Sequence, residues 1–228
     1  MLLSLVIPIY NEQENLIDNI NFHIKSIKSN LKNNYEIILV NDGSNDSTKK
    51  ILSQIKKNNI KIIHLKKNLG VGYALQKGFE KAKGKFIMHN SCDLAYRYEN
   101  FITIIKILKK YDVIIFSRIS RKANSLWRTT TSLGWNFIVR LILGIDFKDL
   151  NFIQIYKKEF IKSQKNVTFQ PASFTTELIY SAYKKKMNIK TIKANFHKRD
   201  FNDSKYGKLS DITGSFLALI KIRKHYDN

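Results

Sequence analysis

The sequence predicts an α/β fold, a mostly parallel sheet flanked by helices, and two observations carry that prediction. Short β-branched or apolar runs at 3–9, 36–40, 60–65, 85–89 and 113–116 alternate with stretches of about 20 residues that have helical periodicity. The chain is also large and apolar enough, with 228 residues of which 43% are hydrophobic and 12% aromatic, to bury one sizeable core. A single domain is expected over 1–228. Two prolines, nine glycines and the lack of any repeat or Ser/Gly-rich run leave nothing to mark a linker.

The first run is apolar and ends in a turn at Asn11, and without a basic flank or cleavage site it reads as a strand rather than a secretory leader. Leu16, Ile20, Ile24 and Ile27 then share one helical face. After the strand at 36–40, Ile51 and Ile55 mark a second helix, and after 60–65 the set Ala74, Leu75 and Phe79 marks a third. Strands at 85–89 and 113–116 follow. The later part is less regular: a helix over 126–143, an apolar run at 152–156, a helix over 174–186 and a strand at 189–194. A basic loop with His197, Lys198, Arg199, Lys205 and Lys208 precedes a final amphipathic helix over 212–224.

Charge bounds the partners. Forty Lys plus Arg against 18 Asp plus Glu give +22, which favours nucleic acid, anionic lipid headgroups or phosphorylated substrates. Part of this excess is a general richness in Lys, Asn and Ile. No zinc-finger, recognition-helix or aromatic-basic pattern supports specific nucleic-acid binding. The lone Cys92 excludes an internal disulfide and a Cys-rich zinc site, so a reducing, cytoplasmic compartment is expected. No window approaches 18 uncharged apolar residues, because Arg140 and Asp146 interrupt the greasiest one. Peripheral contact with a membrane remains open to the helices over 135–143 and 212–224, which serve equally as core helices.

Open parallel sheets bind ligands at the carboxyl ends of their strands. There the sequence places Tyr10-Asn11-Glu12, Asn41-Asp42-Gly43-Ser44, Asn68-Leu69-Gly70 and Asn90-Ser91-Cys92-Asp93. Read alone, the Asp42 turn is either a helix cap or an acceptor for a base or ribose. The glycines after Asn68 do not make a dinucleotide fingerprint, because Gly70-Val71-Gly72 is followed by Tyr73-Ala74-Leu75.

Taken together, Pro8, Tyr10 and Glu12, then Asp42-Gly43-Ser44, then Asn68, Gly70 and Gly72 resemble glycosyltransferase family 2 in order and spacing. These are inverting, nucleotide-sugar-dependent enzymes of GT-A fold with a Rossmann-like sheet. The likeness is nearest to the dolichyl- or polyprenyl-phosphate mannose or glucose synthase-like branch, strong to about residue 120 and looser afterwards. It implies that these positions hold the nucleobase, the ribose and the wall of the donor pocket. It also implies a nucleotide-binding half at 1–120 and an acceptor-side half at 121–228.

Where that family carries an Asp-x-Asp-x-Gln motif for Mg²⁺ or Mn²⁺, this chain has Ser91-Cys92-Asp93-Leu94-Ala95. Asp93 and Ser91 are the candidate ligands left, and one carboxylate makes a weaker divalent site than two. Metal dependence is an open expectation. Arg118 matches the family's Ser-Arg pair, and Arg199 with Lys205 its late Arg…Ser-Lys segment. Each is either a solvated basic residue or a cation for the leaving diphosphate, since a guanidinium fork matches phosphate oxygens without a metal. Asp149 matches an acidic position before an acceptor-side turn, and Glu177 matches one in the next helix, where an ordinary helix-start Glu is the plainer role.

The donor implied is a UDP- or GDP-linked sugar. The acceptor is a polyprenyl phosphate or a glycan hydroxyl, of which the first needs no general base. An anionic membrane surface or a membrane-anchored partner fits the basic later half. A degenerate member that binds nucleotide-sugar without transfer is the rival reading, and the oligomeric state is undetermined by the sequence.

Overall fold

The computed structural model describes residues 1–119, 126–164, 167, 173–197 and 209–227, with the side chains of 126–133 and 209–213 left aside. Strands β1 (Leu3–Ile9), β2 (Tyr35–Asn41), β3 (Ile60–His64), β4 (Phe86–His89), β5 (Val113–Arg118), β6 (Gln154–Lys157) and β7 (Ile189–Ala194) form one sheet in the order β3-β2-β1-β4-β6-β5-β7. β1 is parallel to β2 and β4, β2 to β3, and β5 to β7. β6 alone runs antiparallel, between β4 and β5. The mostly parallel sheet expected from the sequence is present, with this reversed strand as the detail that the apolar run at 152–156 did not disclose.

Alternation along the central strands sends side chains to two cores. Leu3, Leu5, Ile7 and Ile9 of β1 face α1 (Leu16–Leu31) and α4 (Phe101–Ile107), where Leu16, Ile20, Ile27, Phe101 and Ile104 are buried. Val6, Ile38 and Val40 point the other way, to Ala74, Leu75 and Phe79 of α3 (Val71–Lys81) and to α7 (Phe174–Lys184). α3 lies close against the sheet. A Cβ at Gly78 would sit 2.2 Å from Val6 Cγ1, so this helix approaches only as near as a bare glycine permits.

The remaining helices are α2 (Thr48–Ser53), α5 (Leu126–Leu143), α6 (Lys158–Lys162) and α8 (Leu209–Asp227), with α5 and α8 packed on each other. Among the described residues, no helix is long and apolar enough to cross a membrane. β1 continues to β2 and β3 on one side and meets β4 on the other, so the strand order reverses there. That reversal opens a crevice at the carboxyl ends of β1 and β4.

Candidate donor-binding site

Three strand-end turns are knitted into one surface by side chains accepting backbone N–H groups. Asp42, following β2, accepts Leu69 N at 2.9 Å on Oδ1 and Gly70 N at 2.9 Å on Oδ2. Ser44 Oγ accepts Asn11 N at 3.0 Å, and Thr48 Oγ1 accepts Glu12 N at 2.9 Å. In return Asn45 N donates to Asn11 Oδ1, and Ser47 N to Gln13 Oε1. The loops after β1, β2 and β3 therefore hold each other rather than resting on solvent.

Gly43 makes this closeness possible. Its φ is +65°, and a Cβ there would lie 2.3 Å from the Lys67 carbonyl carbon, inside the turn that leads to Asn68. Gly70, at φ 90°, ends the turn and precedes α3, with Asn68 Oδ1 accepting its N–H at 3.1 Å. Gly72 is buried in the first turn of that helix. Burial raises the Asp42 pKa, opposed by the hydrogen bonds from Leu69 and Gly70. Pro8 pairs with Val40 between β1 and β2, with Tyr10 just beyond. All nine positions expected to bind the donor thus lie on or beside one edge of the sheet.

The turn after β4 carries Ser91 and Asp93. Ser91 Oγ accepts Ala95 N at 3.2 Å, and Asn90 Oδ1 accepts Ser91 N at 2.9 Å, so the serine hydroxyl helps close the turn. Asp93 is its one carboxylate. Among the described residues no group of three or more His, Cys, Asp or Glu is placed to hold a metal ion. Among the described residues this donor set falls short of the several oxygen ligands that a hard divalent cation takes.

Beneath this turn lies His23 of α1, fully buried. Its Nε2 is 3.2 Å from Ser91 O, and its Nδ1 is 2.5 Å from Tyr98 Oη. Burial pushes the His23 pKa down to about 4 and the Tyr98 phenol up, so the imidazole is neutral and the phenol keeps its proton at neutral pH. Tyr98 therefore donates to Nδ1, and Nε2–H donates to Ser91 O.

Arg118, at the end of β5, is held by a carboxylate and a pair of phenyl rings. Its Nε is 3.2 Å from Asp149 Oδ1, while its own N–H and Ser117 Oγ donate to Asp149 Oδ2 at 2.9 and 3.3 Å. The guanidinium lies 5.3 Å from the Phe152 ring centroid and 5.1 Å from that of Phe196. Glu177 is buried in the first turn of α7, where its charge opposes ionisation of Tyr226 on α8. His197 pairs with Glu99 at 2.5 Å. Arg199 and Lys205, with the rest of the basic loop, lie outside the described residues.

A family model described as glycosyl transferase family 2 matches residues 4–176. The chain belongs to glycosyl transferase family 2. One curated relative of this family 2 chain is undecaprenyl-phosphate 4-deoxy-4-formamido-L-arabinose transferase of Proteus mirabilis, 30% identical over 224 residues, 96% of this chain and 64% of that protein. Another is dolichyl-phosphate beta-glucosyltransferase of Dictyostelium discoideum, 27% identical over 246 residues, 98% of this chain and 74% of that protein. The chain spans a little under two thirds of the length of the arabinose transferases it matches.

Two solved structures share the architecture. TarS 1-349 of S. aureus, in complex with UDP-GlcNAc, superposes with a TM-score of 0.66 at 18% identity, covering 100% of this chain and 70% of that one. Glucosyl-3-phosphoglycerate synthase from Mycobacterium tuberculosis, with Mn2+, UDP-Glc and phosphoglyceric acid, gives 0.66 at 14%, covering 99% and 79%. The fold of this family 2 chain is GT-A, as its motifs implied. His23, Tyr98 and Glu99 escaped the sequence reading, because each meets its partner across a long stretch of chain. A histidine inside the apolar stripe of α1 was the one available signal.

Proposed function

We propose that this chain is an inverting glycosyltransferase that moves a hexose from a UDP- or GDP-sugar to a polyprenyl phosphate. The observation that carries the reading is the joining of the β1, β2 and β3 turns through Asp42 and Ser44 at the sheet's reversal point. The names of the curated relatives support the acceptor class.

In the transfer, a phosphate oxygen of the lipid attacks the anomeric carbon from the side opposite the nucleotide. The bond from that carbon to the diphosphate oxygen breaks, and its electron pair leaves with the nucleoside diphosphate. The attacking phosphate is already ionised at neutral pH, so no general base is required. This agrees with Asp149, which is engaged by Arg118 and Ser117.

The leaving diphosphate needs positive charge. We assign that role to Arg118, whose Nε pairs with Asp149 and whose guanidinium lies against two mutually packed phenyl rings, together with Arg199 and Lys205. Pro8, Tyr10, Glu12, Asp42, Gly43, Ser44, Asn68, Gly70 and Gly72 hold the nucleoside. Asp93 faces the diphosphate, whose charge is met by the cationic side chains rather than by a resident Mg²⁺ or Mn²⁺. Glu177 supports the acceptor side through α7 and α8. Residues 1–120 form the donor half and 121–228 the acceptor half of one domain.

The acceptor is a lipid, and the packed pair α5 and α8 offers a surface for it. Phe137 and Leu141 of α5 and Phe216, Leu217 and Ile220 of α8 are exposed, at helical spacing, with Arg140, Lys221 and Lys224 exposed on the same helices. Apolar side chains with cations beside them suit an anionic lipid surface, here the cytoplasmic face of a membrane.

A panel of UDP- and GDP-sugars tests the assignment, run with undecaprenyl or dolichyl phosphate and with Mg²⁺, Mn²⁺ or chelator. One donor is expected to yield the lipid-linked sugar, with turnover persisting in chelator. Loss of all turnover in chelator would remove the cationic mechanism. A second reading, a nucleotide-binding member without transfer, is favoured by Ser91 and Ala95 at positions where the family carries Asp and Gln. Nucleotide binding with background turnover on every acceptor would establish it.

A further inference from the structure

The loop from β4 to α4 takes an unusual path. Leu94, Tyr98 and Asn100 have φ of 56°, 67° and 56°. The left-handed region costs an ordinary side chain about 1–2 kcal/mol, and Asn tolerates it better than Leu or Tyr. Such a path persists only where surrounding structure over-determines it.

The surroundings are specific. Tyr98 is buried against Tyr96 and Phe101, with ring centroids 5.4 Å away in both cases, and Tyr96 packs on Phe116 at 5.0 Å. Asn90 Nδ2 donates to Tyr96 O at 2.8 Å. These contacts tie the loop to itself and to β5, His197 beyond β7 pairs with Glu99 near its end, and His23 reaches in from α1. His23 touches the loop at both ends: Ser91 O before Asp93 and Tyr98 Oη after it.

An imidazole at that place is costly. His23 is 0% exposed in a stripe that otherwise holds Leu16, Ile20, Ile27 and Leu31, where one more aliphatic residue would extend the core with no polar atoms to satisfy. Both of its nitrogens are matched, one as donor and one as acceptor, and an aliphatic replacement would leave the Tyr98 hydroxyl short of its acceptor in a buried site.

We propose that His23 is a positioning residue that spans the Ser91–Tyr98 loop and fixes where the Asp93 carboxylate stands relative to the donor diphosphate. This rests on the donor-binding role of the strand ends argued above. Its action is through the loop, since His23 lies beneath the turn and touches no substrate.

Three variants test it: His23→Leu, His23→Gln, whose amide supplies one donor and one acceptor, and Tyr98→Phe. In His23→Leu, kcat is expected to fall about tenfold to a hundredfold while the donor KM stays within about twofold, because ground-state nucleotide contacts are made elsewhere. His23→Gln should return kcat to within about threefold of the parent. Amide exchange over 90–99 should quicken about tenfold in His23→Leu, with 3–9 and 36–40 unchanged.

Unaltered kcat and exchange in a folded His23→Leu would overturn the proposal, as would a His23→Gln no better than His23→Leu. If His23→Leu does not fold, Tyr98→Phe decides, with slower turnover and faster exchange supporting the clamp and parental values overturning it. A parent that turns over no donor defeats the transferase reading instead, and amide exchange then decides the clamp by itself.

Discussion

Asp42 joins two tasks in one carboxylate. Each oxygen accepts an N–H of the Asn68 turn, and under the proposed function the same carboxylate contacts the nucleoside. Asp42→Ala is therefore expected to weaken UDP or GDP affinity by about 1–3 kcal/mol, read by calorimetry. Unchanged affinity would reduce the turn to a local cap. Gly43 makes a sharper case, because a methyl group there meets backbone rather than a flexible side chain. Gly43→Ala should cost about 2–4 kcal/mol in a thermal or urea melt, from overpacking added to a left-handed φ. The sequence disclosed both residues through the turn chemistry of Asp-Gly-Ser after an apolar strand. It did not disclose His23, since periodicity places a residue on a face and is silent on which loop will cross that face. The pairing of Glu99 with His197 stayed hidden for the same reason, the two being 98 positions apart.

Helices and strands were legible where their pattern was local. The stripe of α1 and the apolar face of α3 both follow from spacing, and the observed Phe174–Lys184 and Leu209–Asp227 fall within a few residues of the expected spans. The direction of β6 was not legible. A short run such as 152–156 carries no sign of parallel or antiparallel pairing, which depends on how the chain arrives from α5 and leaves towards α6. For α5 and α8, amphipathicity left core and lipid-facing roles open. The packed pair still exposes Phe137 and Leu141, at 66% and 69%, and Leu217 at 58%. Replacing Phe137, Leu141 and Leu217 together by Ser is expected to abolish sedimentation with vesicles of anionic lipid while changing stability little, since none of the three is buried. Parental binding to neutral vesicles, or undiminished binding by the triple variant, would remove the lipid-facing assignment. Binding should also weaken with added salt, because the cations beside the patch act through a screened potential.

Across the whole molecule, buried histidines shape how stability responds to acid. Burial pushes both His23 and His89 from 6.5 to about 4, His89 being hydrogen-bonded to Gln154. A depressed pKa favours the folded state while the imidazole is neutral. That contribution is complete above 6.5 and is lost as the pH falls towards about 4, because the unfolded chain binds protons that the folded one refuses. Two such groups give a slope of up to about 2.7 kcal/mol per pH unit within this window. Asp46, Asp112 and Asp227, each held low by hydrogen bonds that favour the ionised carboxylate, add losses in the same direction below the window. Asp42, whose pKa is raised, works against them, because its protonated form is favoured in the fold. The charge of +22 grows as carboxylates are neutralised, so self-repulsion deepens the acid loss. Urea midpoints should accordingly fall steadily between pH 7 and 5, before ordinary carboxylates titrate. His89→Gln should remove up to about 1.4 kcal/mol per pH unit of that slope, leaving the contributions of His23 and of His64, whose pKa burial and Lys49 also lower. A midpoint flat over this interval would mean that the two imidazoles are reached by water in the folded protein.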